Sequence, residues 1–329
     1  RIKLPYGIAQ IGKCFRNEIA PRDFLFRSRE FNMAEFEFFI HPEEEKCPIL
    51  DENHLSVEFN FLDAETQESG KKDLKKVSIK DILKKNKLDE WHAYWLAEQI
   101  LFFEKLGLNM GKIKIREHVK TELSHYSSAT FDIDFEFPFG SKEIAGNANR
   151  GQYDLNQHIK YSKQKLEIFD EEKKQNVVPR VIEPTFGAER IFLALITDSY
   201  NYDGERKNVV LRLHPKLSPV KASIFPIVKK SEFEKIAKDI FDLLKEEWNV
   251  SYDESGSIGK RYARNDEIGT PFCITIDDKS IKNKDVTIRE RDSGEQIRIK
   301  INNLKEILKK LLEGKNFFKT GKIINTRKK

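Results

Sequence analysis

Residues 7–40, GIAQIGKCFRNEIAPRDFLFRSREFNMAEFEFFI, decide the fold. They read as two alternating runs joined by a charged loop. In the first run Ala9, Ile11 and Phe15 share one side, and Gly12, Cys14, Arg16 and Glu18 the other. In the second, Asn32, Ala34, Phe36, Phe38 and Ile40 lie opposite Arg29, Phe31, Met33, Glu35 and Glu37. The spacing predicts an antiparallel pair with one face on a core and charged and aromatic groups on the other. Scattered solvated ion pairs are the simplest account of any single charge here. Together the charges outline a binding surface. An Arg fork suits a phosphate bidentately, a ring face stacks a base, and a carboxylate accepts from an exocyclic amine or holds an ammonium. A nucleotide plus a small amine fits this ribbon.

Beyond it, Pro42 and Pro48 end the second run. Residues 55–61 alternate weakly, and Ser78 with Asp81 has capping-box spacing before an apolar stretch. Residues 89–107 predict a helix capped by Asp89 and stopped by Gly107. Its Trp91, Tyr94, Trp95, Leu101 and Phe102 form a core stripe, with His92 a partly buried structural histidine. Residues 112–119 and 131–137 read as strands, the latter with Asp132, Asp134 and Glu136 as a solvated acidic row. After the Pro138–Gly140 turn, alternation groups Glu143, Ala145, Asn147 and Asn149 on one side. Residues 163–175 read as a polar linker.

In 183–199, EPTFGAERIFLALITDS, Pro184 and Gly187 bracket an expected turn before a buried helix. Arg190 falls in that helix's first turn, where the dipole favours an anion, so a cation there makes sense facing a phosphate. Pairing with Glu189 or Glu183 is the alternative. From about residue 215 prolines cluster and a separate small α/β pattern begins. It includes a capping box at Ser231 and Glu234 and an Asp292–Gly294 hairpin turn. Its basic residues Lys260, Arg261, Arg264, Arg289, Arg291, Arg298 and the 327–329 tail suit a phosphodiester backbone.

At 329 residues the length favours about two domains. A 39% hydrophobic and 34% charged composition argues for a soluble globular chain, and a net charge of +5 is only a weak bias toward polyanions. Cys14, Cys47 and Cys273 form no CxxC pair, which argues against a zinc knot or disulfide framework and for a reducing, cytoplasmic setting. No apolar run reaches the ~18 residues of a membrane span, and no signal peptide is evident. The first residue is Arg1 rather than Met, so an upstream part is expected.

Phe15-Arg16-Asn17-Glu18, Pro21-Arg22 and Arg27-Ser28-Arg29-Glu30-Phe31-Asn32-Met33-Ala34-Glu35 resemble motif 2 of class II aminoacyl-tRNA synthetases, in the form of the dimeric glycyl-tRNA synthetases. Residues 143–155, EIAGNANRGQYDL, are similar to the family's segment between motifs 2 and 3, and 181–190, VIEPTFGAER, to its motif 3. Residues 255–277 and 287–298 resemble its anticodon-binding domain. The resemblance implies an α/β (α+β) fold. Residues 1–214 would form an antiparallel catalytic sheet flanked by helices, and 215–329 a mixed-sheet anticodon-binding domain. It implies ATP-dependent activation of glycine to glycyl-adenylate and transfer to tRNA(Gly), with ATP and Mg²⁺ as cofactors and no covalent enzyme intermediate.

By the same resemblance Arg16 and Arg190 are the catalytic residues. Arg16 holds the α-phosphate, Glu18 the adenine amine, Phe31 the adenine ring, and Arg27 and Arg190 the outer phosphates. Asn17, Phe26, Ser28, Arg29, Glu30, Gly187, Ala188 and Glu189 complete the ATP site. Glu143, beside Ile144, helps hold Mg²⁺. Glu35 and Glu183 hold the glycine ammonium and Arg150 its carboxylate. Thr185 narrows a pocket lined by Phe31, Asn32, Met33, Ala34, Pro184, Phe186 and Gly187. The family usually has Ser where this chain has Thr185. Its motif 1, which builds the homodimer, and one further glycine-site carboxylate lie upstream of residue 1. Two other readings stay open: a non-catalytic nucleic-acid-binding module on the same fold, and a synthetase for another amino acid. The retention of Arg16, Arg150 and Arg190 favours the enzyme.

Overall fold

A computed structural model describes residues 2–85, 87–121 and 129–324. The described chain divides into two compact units, Arg1–Leu195 and Ile196–Lys329. This division precedes the change of texture at residue 215, because the hairpin of β11 (Tyr200–Asp203) and β12 (Asn208–Leu211) packs on α8 (Ile258–Glu267) of the second unit.

The first unit is built on an eight-stranded sheet. Its strands in chain order are β1 (Tyr6–Phe15), β2 (Glu30–Ile40), β3 (Glu58–Leu62), β4 (Lys75–Ser78), β5 (Ile113–Glu117), β6 (Ala129–Phe137), β7 (Gly140–Gly151) and β10 (Arg180–Gly187). They lie in the order β1-β2-β10-β7-β6-β5-β3-β4, antiparallel except where β3 meets β5. The stretch read as a polar linker instead carries a small hairpin of β8 (Ile168–Asp170) and β9 (Gln175–Val177).

The ribbon at 7–40 forms as its alternation requires, pairing Phe15 with Glu30 and Tyr6 with Phe39. One helix, α4 (Glu90–Lys105), covers one face of the sheet. The Asp89 carboxylate caps it by accepting from the His92 N–H, and Gly107 follows in the left-handed region at φ 83°. Its Leu96, Ile100 and Phe103 pack with Phe131, Ile133, Phe135 and Ile144. His92 is wholly buried, its Nε2 3.3 Å from the Asn147 carbonyl. The capping box of α3 (Ile79–Lys84) forms as spaced, with Ser78 and Asp81 exchanging bonds.

Four further expectations about the first unit fail for physical reasons. The apolar side of β1 meets no core: Ile11 is 81% and Phe15 72% exposed. Trp91 and Trp95 of α4 reach Phe38 and Phe36 on β2 but not the edge strand beyond. Second, the acidic row is not simply solvated. Asp132 and Asp134 are buried and paired with Arg116 and Lys114 of β5, and Glu136 alone stays exposed.

Third, β7 carries a bulge at Ile144. The register pairs Ile133 with Ala145 but Asp134 with Glu143. That extra residue sends Ala145 and Asn147 toward α4 and Glu143 to the other face, so the four do not share a side. Fourth, Glu183–Gly187 is no turn but the end of β10, which passes directly into α6 (Ala188–Ser199). Pairing to β2 lapses at Glu183–Pro184, where proline has no N–H to donate. Nor is α6 buried throughout: Ile191 and Ala194 are, whereas Phe192 is 64% exposed.

The second unit holds a six-stranded mixed sheet of β13 (Ala222–Pro226), β14 (Val250–Tyr252), β15 (Phe272–Ile276), β16 (Asp285–Glu290), β17 (Gln296–Lys300) and β18 (Lys322–Ile324). Its order is β14-β13-β15-β16-β17-β18, parallel through β15 and antiparallel after it. Helices α7 (Ser231–Lys245) and α10 (Leu304–Leu312) contribute Phe233, Ile240, Leu308 and Leu311 to its core. Ser231 is the first helical residue rather than the cap, and Lys230 holds the cap position without a side-chain bond.

Candidate active site

The uncovered face of the first sheet carries a cavity of about 210 Å³ beside the β1–β2 loop. The loop is held by its own chemistry. The Arg16 N–H donates to the Arg29 carbonyl at 3.0 Å, and Arg22 and Arg27 form an isolated bridge. The Arg29 Nε donates to the Glu18 carbonyl at 2.9 Å, so this guanidinium clamps the loop and does not line the cavity.

One end of the cavity is cationic and aromatic. The Arg16 guanidinium lies 5.4 Å from the Phe31 ring centre, and neither Arg16 nor Arg27 makes an ion pair among the described residues. Arg190, at the start of α6, donates to the Phe26 carbonyl at 2.9 Å and to the Glu143 carbonyl at 3.1 Å. Its ion pair is with the Glu143 carboxylate at 3.2 Å, not with Glu189 or Glu183. Glu189 instead accepts from the backbone N–H of Asn32 at 2.9 Å, tying α6 to β2. Partial desolvation of its half-exposed side chain, with Asp132 nearby, raises the Glu143 carboxyl from its ordinary value against the pull of Arg190. Gly187 leaves room where β10 passes into α6, since a Cβ there would lie 3.1 Å from Arg190 Cδ and 3.3 Å from the Ile144 carbonyl.

The other end is small and acidic. Glu35 lies opposite Thr185, and Thr185 opposite Gly146. A Cβ at Gly146 would lie 3.1 Å from the Thr185 hydroxyl, tight enough that the hydroxyl would have to give way slightly. Gln99 of α4 fixes this crossing from below, donating to the Gly146 carbonyl at 2.9 Å and the Thr185 carbonyl at 3.2 Å. Arg150 spans Glu183 at 2.5 Å and Asp154 of α5 (Tyr153–Ser162) at 2.6 Å.

Of the residues singled out in the sequence, Arg16, Glu18, Phe26, Arg27, Ser28, Phe31, Asn32, Met33, Glu35, Glu143, Arg150, Glu183, Thr185, Gly187, Glu189 and Arg190 line this one cavity. Asn17, Arg29, Glu30, Ala34, Ile144, Pro184, Phe186 and Ala188 do not. Ala34, Ile144 and Phe186 pack on the α4 side. Leu25 lines the cavity without having been foreseen, and Ala145, grouped with Glu143 in the sequence, borders it although its side chain packs on the α4 side.

In the second unit the basic residues are mostly committed elsewhere. Arg289 pairs with Asp266 through two bonds of 2.7 and 2.9 Å, and Arg291 donates to the Gly269 and Leu213 carbonyls. Arg261 donates to the Pro226 carbonyl at 2.6 Å, and all three guanidinium groups are buried. Arg298 pairs with Asp277 and Asp285. Lys260 stays exposed, and residues 327–329 lie outside the described residues.

The fold is that of the class II aminoacyl-tRNA synthetases. A prolyl-tRNA synthetase from Cryptosporidium parvum, solved with L-proline and AMP, superposes with a TM-score of 0.61 at 20% identity, covering 94% of this chain and 56% of that one. The anticodon-binding domain family matches residues 221–311.

Within that class the chain is homologous to the glycine–tRNA ligases. It is 41% identical to that of Borreliella burgdorferi and to that of Clostridium tetani, each over 316 residues, and 38% identical to that of Thermobifida fusca over 324. These alignments cover 94–95% of this chain but only 58–61% of the relatives, so the chain spans about three fifths of their length. Among the described residues no helix is long and apolar enough to cross a membrane.

Proposed function

We propose that the cavity activates glycine with ATP and that the product is transferred to tRNA(Gly). The carrying observation is the division of one cavity into a cationic, aromatic end at Arg16, Phe31 and Arg190 and a small acidic end at Glu35, Glu183 and Arg150. Homology to glycine–tRNA ligases supports the choice of amino acid.

The glycine carboxylate attacks the α-phosphorus of ATP, forming the mixed anhydride and releasing pyrophosphate. No proton need move in that step. What the protein supplies is placement and charge. Arg16 faces the charge that develops on the α-phosphate, and Arg27 and Arg190 the departing pyrophosphate. Phe31 offers a stacking face to adenine and Glu18 an acceptor to its amine. Glu35 and Glu183 take the ammonium, and Arg150 orients the carboxylate. Thr185 fills the space that a larger side chain would need; since a methyl gains only about 1–3 kcal/mol in an apolar slot, rejection here is steric and polar. Glu143 is the carboxylate that would hold Mg²⁺ alongside the phosphates, a single-carboxylate arrangement of the kind that ion accepts. The second unit would bind the tRNA. Action in the cytoplasm as a homodimer belongs to the same proposal.

Glycine-dependent pyrophosphate exchange tests this reading. Exchange with glycine and not alanine, lost in Arg16→Ala, is expected. Exchange driven by another amino acid, or unchanged in that variant, overturns it. The three-fifths span of the match favours one refinement, that exchange requires the remaining portion of the relatives' length. Adding that portion in trans distinguishes the two cases.

A further inference from the structure

Glu37 has no part in the scheme above, yet it stands behind the acidic end of the cavity. The register that joins Ile182 to Phe38 and Thr185 to Glu35 places Glu37 directly across from Glu183. Glu35, Glu37 and Glu183 each bring a carboxylate oxygen within 4.8 Å of the others. Like charges opposed on neighbouring strands destabilise a sheet, and the nearby cation Arg150 is already shared between Glu183 and Asp154. Glu37 does not itself line the cavity, whereas Glu35 and Glu183 do.

We propose that Glu37 is a positioning residue of the ammonium pocket: its neutral carboxyl donates to Glu183, and seating an ammonium between Glu183 and Glu35 drives that proton to solvent. This rests on the reading of the cavity as an amino-acid site. The donor direction follows from the surroundings. Burial, then the charge and hydrogen bond of Glu183, push Glu37 up to about 8, opposed by Arg150 and reinforced by Glu35. Facing groups are Glu35 on its own strand, Glu183 on β10, Arg150 on β7 and Asp154 on α5; β1 presents uncharged Ile8.

A cation placed beside these acids stabilises the ionised form of Glu37. Binding therefore releases a proton, and reciprocally glycine binds more tightly as pH rises through about 8. One linked proton limits the slope to about one decade of affinity per pH unit.

The test is calorimetric titration of glycine into the full chain and into Glu37→Gln at pH 8, in two buffers of different ionisation enthalpy. The expected result is net proton release by the wild type, none by the variant, and a flat pH dependence of the variant's affinity between pH 7 and 8.5. Glycine binding without proton release, or with equal release in Glu37→Gln, overturns the role of Glu37 and leaves the glycine reading standing. Absence of glycine binding in the wild type overturns both. If Glu37→Gln does not fold, carboxyl-carbon NMR of the wild type decides. A carboxyl titrating near 8 and moved lower by glycine supports the proposal, and one unmoved by glycine overturns it.

Discussion

Arg16 and Arg289 are the same side chain in opposite employment. Arg289 is buried, meets both oxygens of Asp266, and lies 4.7 Å from the Tyr262 ring centre. Arg16 lies over Phe31 at the mouth of a cavity and makes no ion pair among the described residues. A guanidinium whose donors are spent is structural. One held in place by a ring and left without an anion is available to a ligand.

The comparison can be broken most sharply at Asp266. Asp266→Ala strands Arg289 in the interior and also removes a partner of Arg206, so the variant should lose about 3–5 kcal/mol in denaturant unfolding. Arg16→Ala should do the reverse. Exchange should fall by at least about a hundredfold, while the unfolding free energy moves by less than about 0.5 kcal/mol. If Arg16→Ala unfolded the protein, or Asp266→Ala left it intact, the distinction would fail. Gly146→Ala crowds the Thr185 hydroxyl and should raise the glycine KM about tenfold, or about 1.4 kcal/mol, with stability little changed. The smallest effect is expected at Arg264. Its pair with Asp253 is 2.5 Å long but half exposed, so Arg264→Ala should cost less than about 1 kcal/mol.

Sequence alone reached the hairpin and the Asp89 and Ser78 caps, because alternation and capping are local properties that each strand or helix writes into its own residues; the residues that line the cavity were named through the family resemblance instead. It could not reach partners. Arg261, Arg289 and Arg291 read as a nucleic-acid surface because composition counts charges without saying which carbonyl or carboxylate each will meet. Asp132 and Asp134 read as solvated for the same reason, since Arg116 and Lys114 come from a separate strand. The exposed flank of β1 followed from the reach of α4, a tertiary fact. Glu37 alternates in phase with Glu35, and that was the available signal; its cross-strand neighbour Glu183 was not.

The extra residue at Ile144 has a consequence for how this protein could change. A strand is read in steps of two, so inserting or removing one residue acts like a frameshift. Deleting Ile144 would only take out the bulge, leaving Glu143 across from Asp134 and Ala145 across from Ile133, whereas deleting a paired residue such as Gly146 would shift the preceding part of β7 by one place. Substitutions along β7 can be absorbed one at a time; a change of length at a paired position cannot.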